Sequence, residues 1–341
     1  VTLTATNKIP LNYQTHTSTI PAPLMPKKTA EKDRVLPSIE QRIQTALENH
    51  GITRGRDSSR IKLSLNLPIE KFTYYITLQK EIAKLIPVEA YRPTIDLKLY
   101  GKNVKSEDPS TIAILGGIGP LSDAELLKKT ILNLHSQGIS LDNLKINLLS
   151  APPPRSFFKI VKNGFNYFLN IRKFLNRNHN KIYIASNTAH HRYKCISSLA
   201  KKNAVNLVAL VAADISRNKD SRGVLVLGTT KTRNRRIYAS IFDKNGTVNI
   251  APDNSDQKLI QEDINLTKQG KLVDNGNRLK QIIKNIITTS RQNGVMVDQI
   301  LLGCTELSLA LKEDGISEIE KELHVKIINS EEEFAKRIST L

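Results

Sequence analysis

Acidic residues are scarce in this chain, tryptophan is missing, and cysteine occurs only twice. Against 51 Lys and Arg stand 32 Asp and Glu, which leaves a formal net charge of +19. The shortage is concentrated. From Asn143 to Ala213 there is no acidic residue, while the same stretch holds twelve basic ones. Such a field gathers anions, whether a small carboxylate, a nucleic acid or an anionic surface; a solvated basic face is the plainer alternative. An aromatic content of 5% without tryptophan speaks against a stacking platform for single strands, so nucleic acid is not the favoured partner. Two cysteines, Cys195 and Cys304, are too few for a secreted disulfide framework and point to a reduced, cytoplasmic setting. No run of about 18 apolar residues is present, which excludes a membrane-spanning helix. The first residue is Val1 rather than methionine, which leaves room for a removed leader.

What is present suits a soluble α/β protein of more than one domain. Residues 1 to about 30 are rich in Thr, Pro, Asn and Lys without periodicity and are expected to be a mobile arm. SIEQRIQTALENH, from Ser38 to His50, has helical spacing; RIKLSLNLPI, from Arg60, alternates as a strand; KFTYYITLQKEIAKLI follows as a helix. This basic extension, residues 1–109, carries no chemical signature. From Thr111 the pattern changes. TIAILGGIGPLSDAELLKKTIL reads as a buried strand, a glycine turn and a helix opened by a capping box, with Ser122 as N-cap and Glu125 three residues on. KIYIAS, GVLVLGTTKT and QILLGCTELSLA repeat the theme of an apolar run stopping at Gly, Ser or Thr before helix-forming sequence. Strands alternating with helices imply parallel sheets, with ligands outside the carboxyl ends of the strands.

The four loops begin near Gly116, Ser186, Gly228 and Cys304. The first pair is separated by 70 residues and the second by 76; first to third is 112 and second to fourth 118. A unit recurring at near-constant offset predicts two similar Rossmann-like domains related by a pseudo-twofold, with a cleft between them. The expected division is 110–216, completed by 326–341, and 217–325. Ser186 and Cys304 would then occupy equivalent places on opposite walls.

These residues also match a family. GGIGP at 116–120, SNTAH at 186–190, LGTTKT at 227–232 and GCTEL at 303–307 resemble the pyridoxal-phosphate-independent aspartate/glutamate racemases over Thr111 to about Leu341. The resemblance implies no cofactor, a small carboxylate substrate, and two cysteines that face opposite sides of its α-carbon. One thiolate removes the α-proton and the other thiol returns a proton. Here Cys304 holds the second position, and Ser186 stands where most members have the first cysteine. By the same resemblance, Asn187, Thr188 and Thr305 bind the α-carboxylate, with Gly117 in a turn close to the substrate. Thr229 and Thr232 match the threonines of a GTxGT segment whose inner glycine is Lys231 here. Arg155 and Lys268 resemble substrate-binding cations, although the residue before Arg155 is Pro154 and the position four before Lys268 is Ile264. His190 and Glu306 are supporting positions.

Cys304 follows a strand and precedes a helix, where backbone N–H groups favour a thiolate and lower a thiol's usual 8.5 or so. A serine hydroxyl is scarcely ionised at neutral pH without an adjacent base. Ser186 is therefore expected to relay a proton or hold a carboxylate oxygen, and exchange is expected to be one-sided. Cys195 falls in a helix and is expected in the core. His190 is expected to orient its loop and His191 to be exposed; adjacent histidines are poorly spaced as metal ligands, and no metal is expected. GGIGP lacks the spacing of a dinucleotide fingerprint. Three functions compete: racemase or one-sided α-proton exchange on aspartate or glutamate, a single-cysteine decarboxylase or isomerase, and a degenerate fold kept for binding. A homodimer is compatible with all three.

Overall fold

The computed structural model describes residues 2–7, 17–21, 45, 61–85, 94–105, 108, 111–116, 120–150, 165–200, 203–217, 223–268 and 275–340. The expected helix at 38–50 lies outside them apart from Thr45, as do Gly117 and Arg155. Two compact units emerge. One comprises Val1–Ile182 with Leu199–Asn203, the other Tyr183–Ser198 with Ala204–Leu341.

In the first unit, β1 (Thr2–Asn7), β2 (Thr17–Pro21), β3 (Ile61–Pro68), β4 (Thr94–Tyr100), β5 (Ile112–Leu115) and β6 (Lys145–Ser150) lie in the order β2-β1-β3-β4-β6-β5. The pairs β3–β4 and β5–β6 are parallel, whereas β4 runs antiparallel to β6 and β1 antiparallel to both its neighbours. The alternation of RIKLSLNLPI is realised in β3: Leu63, Leu65 and Leu67 are buried while Asn66 and Pro68 are exposed. Residues before Pro109 thus build sheet. They are continuous with the strands that follow them.

Helix α1 (Phe72–Leu85) buries Tyr75, Leu78 and Ile82, spaced for one helical face. Helix α2 (Pro120–Ser136) buries Ala124, Leu127, Ile131 and Leu134 in the same way. It begins two residues before Ser122, so the expected N-cap serine lies inside the first turn. Proline is suited to the first helical position because its missing N–H would be unpaired there anyway. Helix α3 (Phe165–Leu175) leads to Arg177, whose guanidinium grips the buried Asp96 of β4 at 2.8 and 2.5 Å.

Strand β7 (Ile182–Ile184) starts in the first unit and finishes in the second. The second unit continues through a 3-10 turn (Asn187–Arg192), α4 (Tyr193–Leu199), β8 (Ala204–Val205), α5 (Leu207–Arg217), β9 (Val224–Leu227), α6 (Thr230–Asn234), α7 (Ala239–Lys244) and β10 (Asn249–Ile250). It is completed by α8 (Asn254–Lys268), α9 (Asn275–Gln292), β11 (Gln299–Leu302), α10 (Thr305–Leu323), β12 (Lys326–Asn329) and α11 (Ser330–Ser339). Its sheet, β10-β9-β11-β12, is parallel throughout. Ile260, Ile264, Leu279, Ile283, Ile287 and Leu307 pack on Leu225, Ile300 and Leu302. Each such side chain contributes roughly 1.5–3 kcal/mol by leaving water.

The strand order decides where a ligand fits. The order in which successive strands are laid down reverses between β9 and β11, and the crevice beyond the carboxyl ends of strands at such a switch is the natural binding place. Leu227 and Leu302 end those two strands, so Gly228–Thr229 and Gly303–Cys304 flank the crevice. The Gly303 N–H donates to Leu227 O at 2.7 Å. A Cβ on Gly303 would lie 3.0 Å from that same oxygen, which explains the glycine.

Candidate active site

Cys304 is the N-cap of α10, and its side chain caps nothing. Instead the thiol donates to Glu306 Oε2 at 2.9 Å. Glu306 Oε1 in turn lies 4.0 Å from Lys268 Nζ, and both of these side chains are nearly buried. Burial pushes the Cys304 thiol well up, the Glu306 carboxylate pushes it further, and Lys268 offsets only part of this. The expected lowering by the helix N-terminus is thus overturned: loss of water and a nearby anion outweigh partial charges on a few N–H groups. Cys304 is a protonated thiol poised against a base.

The Ser186 loop is tied to the same crevice. Asn187 Nδ2 donates to Ser330 Oγ at 3.1 Å, and Ser330 Oγ donates to Leu302 O at 2.7 Å. The buried Tyr238 hydroxyl donates to Asn187 Oδ1, and burial raises its pKa. Thr188 Oγ1 lies 3.1 Å from Thr229 Oγ1 and 3.2 Å from Thr232 Oγ1, while Thr229 and Thr232 are 2.9 Å apart. This triangle of hydroxyls fixes Thr188 against α6. Gln257, from α8, donates to Gly228 O at 3.0 Å behind it.

His190 Nδ1 donates to Ser186 O at 2.9 Å. Its Nε2 has no partner among the described residues, and the ring centre lies 6.4 Å from that of Tyr193 and 6.0 Å from that of Phe334. Burial accordingly depresses the His190 pKa to about 4, so the ring is neutral and its Nδ1 bond ties it to the loop backbone. Ser186 itself is half-buried, and among the described residues its hydroxyl has no hydrogen-bond partner. No base among the described residues engages it.

Residues 168–337 match the Asp/Glu/Hydantoin racemase family. The matched stretch takes in SNTAH, LGTTKT and GCTEL but not GGIGP. A Yersinia pestis chain assigned to the Asp/Glu racemases is 18% identical, with a TM-score of 0.53 over 67% of this chain and 97% of that one. An aspartate racemase homologue from Pyrococcus horikoshii OT3 is 22% identical, with a TM-score of 0.49 over 67% and 97%. The aspartate racemase of Picrophilus torridus is 23% identical, with a TM-score of 0.49 over 67% and 92%. The first of these likenesses shows that the fold is shared.

Within the matched stretch the structure brings several of the sequence-singled residues together and revises others. Lys268 contacts Glu306, a partner that sequence spacing did not suggest. Thr305 opens α10, with its carbonyl accepting from Ser308 at 2.9 Å. Cys195 is exposed rather than in the core, because it falls on the solvent side of the short helix α4. His191 is half-buried rather than simply exposed, and its Nδ1 donates to Thr188 O at 2.7 Å. Ile264, at the position four before Lys268, is wholly core. Tyr238, Ser330 and Gln257 went unnoticed in the sequence. Their only local mark is a polar group inside an otherwise apolar or helical segment, and their partners lie 29 to 143 residues away. Among the described residues no cluster of three or more His, Cys, Asp or Glu could hold a metal ion.

Proposed function

We propose that the chain exchanges the α-proton of an acidic amino acid, aspartate or glutamate, without a cofactor and chiefly from one face. The contact that carries this reading is the Cys304 thiol donating to Glu306, backed by Lys268. Transfer of the thiol proton to Glu306 Oε2 leaves a thiolate. The thiolate removes the α-proton, an S–H bond forms, and the electron pair stays on the α-carbon, delocalised into the carboxylate. Asn187, Thr188, Thr229, Thr232 and Thr305 supply hydrogen bonds to that carboxylate. On the opposite wall Ser186 offers a hydroxyl that no base among the described residues engages, so return of a proton there is slow and exchange without inversion dominates. The substrate class follows the names of the similar proteins; the functions of Arg155 and Gly117 belong to the same proposal.

One observation favours a second reading. A thiol held protonated is suited to giving a proton to a carbanion, as a decarboxylase with a single cysteine requires.

The deciding experiment incubates each enantiomer of aspartate and glutamate in D₂O and follows α-deuterium by NMR. Expected is faster exchange in one enantiomer, falling by about 10³-fold or more in Cys304→Ala. Exchange in none of the four, or undiminished exchange in the variant, overturns the proposal. Turnover of a malonate-type acid that depends on Cys304, without α-exchange, selects the second reading.

A further inference from the structure

Three cations crowd one small surface of the second unit. Arg192 ends the 3-10 turn Asn187–Arg192, Lys231 lies on α6, and Arg235 is the C-cap of that helix. The Thr188 bonds to Thr229 and Thr232 pin the turn and the helix side by side. Like charges held this close oppose folding unless something offsets them. Elsewhere in the segment a carboxylate does so for Arg236, which pairs with Asp243. Among the described residues Arg192, Lys231 and Arg235 have no carboxylate partner.

His191 sits among them and is held neutral. Its Nδ1–H is committed to Thr188 O, so Nε2 accepts from Arg192 Nε at 3.2 Å. That bond fixes Arg192 by one nitrogen and leaves its two terminal amino groups free among the described residues. Although Lys231 is exposed, partial loss of water around its ammonium lowers its pKa, and the charges of Arg192 and Arg235 lower it further; among the groups acting on it there is no acid. A planar guanidinium matches two oxygens of an oxyanion, and an ammonium adds a point charge that any approach can use. A small ion with two negative charges, held between three positive ones, would remove the repulsion.

We propose that Arg192, Lys231 and Arg235 form a binding site for a phosphate dianion, next to the threonine triangle. The ligand is free phosphate or the phosphoryl group of a small molecule. A phosphorylated amino acid would bring its carboxylate towards Thr188, Thr229 and Thr232. Binding at this place requires no turnover, so it stands or falls independently of the α-proton exchange.

Isothermal titration of inorganic phosphate into the full chain at low ionic strength tests the site, with chloride at equal ionic strength as control. Expected is saturable binding at one site per chain, weakened about tenfold or more by Lys231→Gln and by Arg235→Gln, and unchanged by Lys244→Gln. All three side chains are exposed, so the variants are expected to melt as the parent does, which circular dichroism checks. Tighter binding of O-phosphoserine than of phosphate, with the same sensitivity to Lys231→Gln, supports the site and identifies a phosphorylated small molecule. Equal binding supports it with free phosphate as the ligand. No saturable phosphate binding, an affinity indifferent to both variants, or binding of a DNA oligonucleotide alone overturns it.

Discussion

Two strand ends of the second unit are built alike and behave differently. Ile184 leads through Ala185 to Ser186 and a 3-10 turn; Leu302 leads through Gly303 to Cys304 and a long helix. Each places one small nucleophilic side chain where a buried strand meets a helical segment. At Ser186 the described surroundings are neutral hydrogen-bonding groups, and none of the described residues engages the hydroxyl. At Cys304 the side chain belongs to the apolar core cluster on one side and meets a buried carboxylate on the other. The contrast teaches that a loop motif prepares a position, while burial and the nearest charge decide its protonation. A helix N-terminus, common to many such loops, is too weak to override them.

That comparison can be broken first at the Ser186 side through its support. The His190 pKa is about 4 in the fold against 6.5 unfolded, so the unfolded chain binds a proton that the folded chain refuses. Stability is therefore unaffected by His190 above about pH 6.5 and declines as pH falls towards 4, by up to about 3 kcal/mol, roughly a hundredfold in the folding equilibrium. Urea denaturation at pH 7 and pH 4.5 should show this slope flattened in His190→Asn; an identical slope would mean that another group is responsible. Next comes the charged end. Glu306→Gln removes the acceptor of the thiol proton, and the rate of α-deuterium exchange is expected to fall by about 10²-fold. Its pH profile should also move towards higher pH, a change that loss of packing alone would not produce. The smallest expected effect restores symmetry. Ser186→Cys introduces a thiol on the other wall, and racemisation measured by chiral chromatography should rise about tenfold. An unchanged rate would show that the missing thiol is not what limits proton return on the Ser186 side.

Much of this arrangement was legible in the linear chain. The apolar runs ending in Gly, Ser or Thr marked the carboxyl ends of strands, because a strand buried on both faces must be apolar throughout and a binding turn must not be. Cys304 stood out for that reason, and so did Ser186. Other features were illegible for identifiable reasons. Cys195 sits in a seven-residue helix, too short for periodicity to separate its inner from its outer face. Ser122 looked like an N-cap because serine prefers that role, yet Pro120 had already begun the helix. Tyr238 is separated from Asn187 by 51 residues and Ser330 from Asn187 by 143, so nothing local announces either bond.

The order of strands, loops and acid–base residue types was written in the sequence, since each depends on a residue and its immediate neighbours. Tertiary structure alone decided that the Cys304 thiol keeps its proton, that Lys268 answers Glu306, and that three cations share a surface with no acidic partner among the described residues. Desolvation and Coulomb forces act through space, and they depend on which distant segments the folded chain places within a few ångströms of each other.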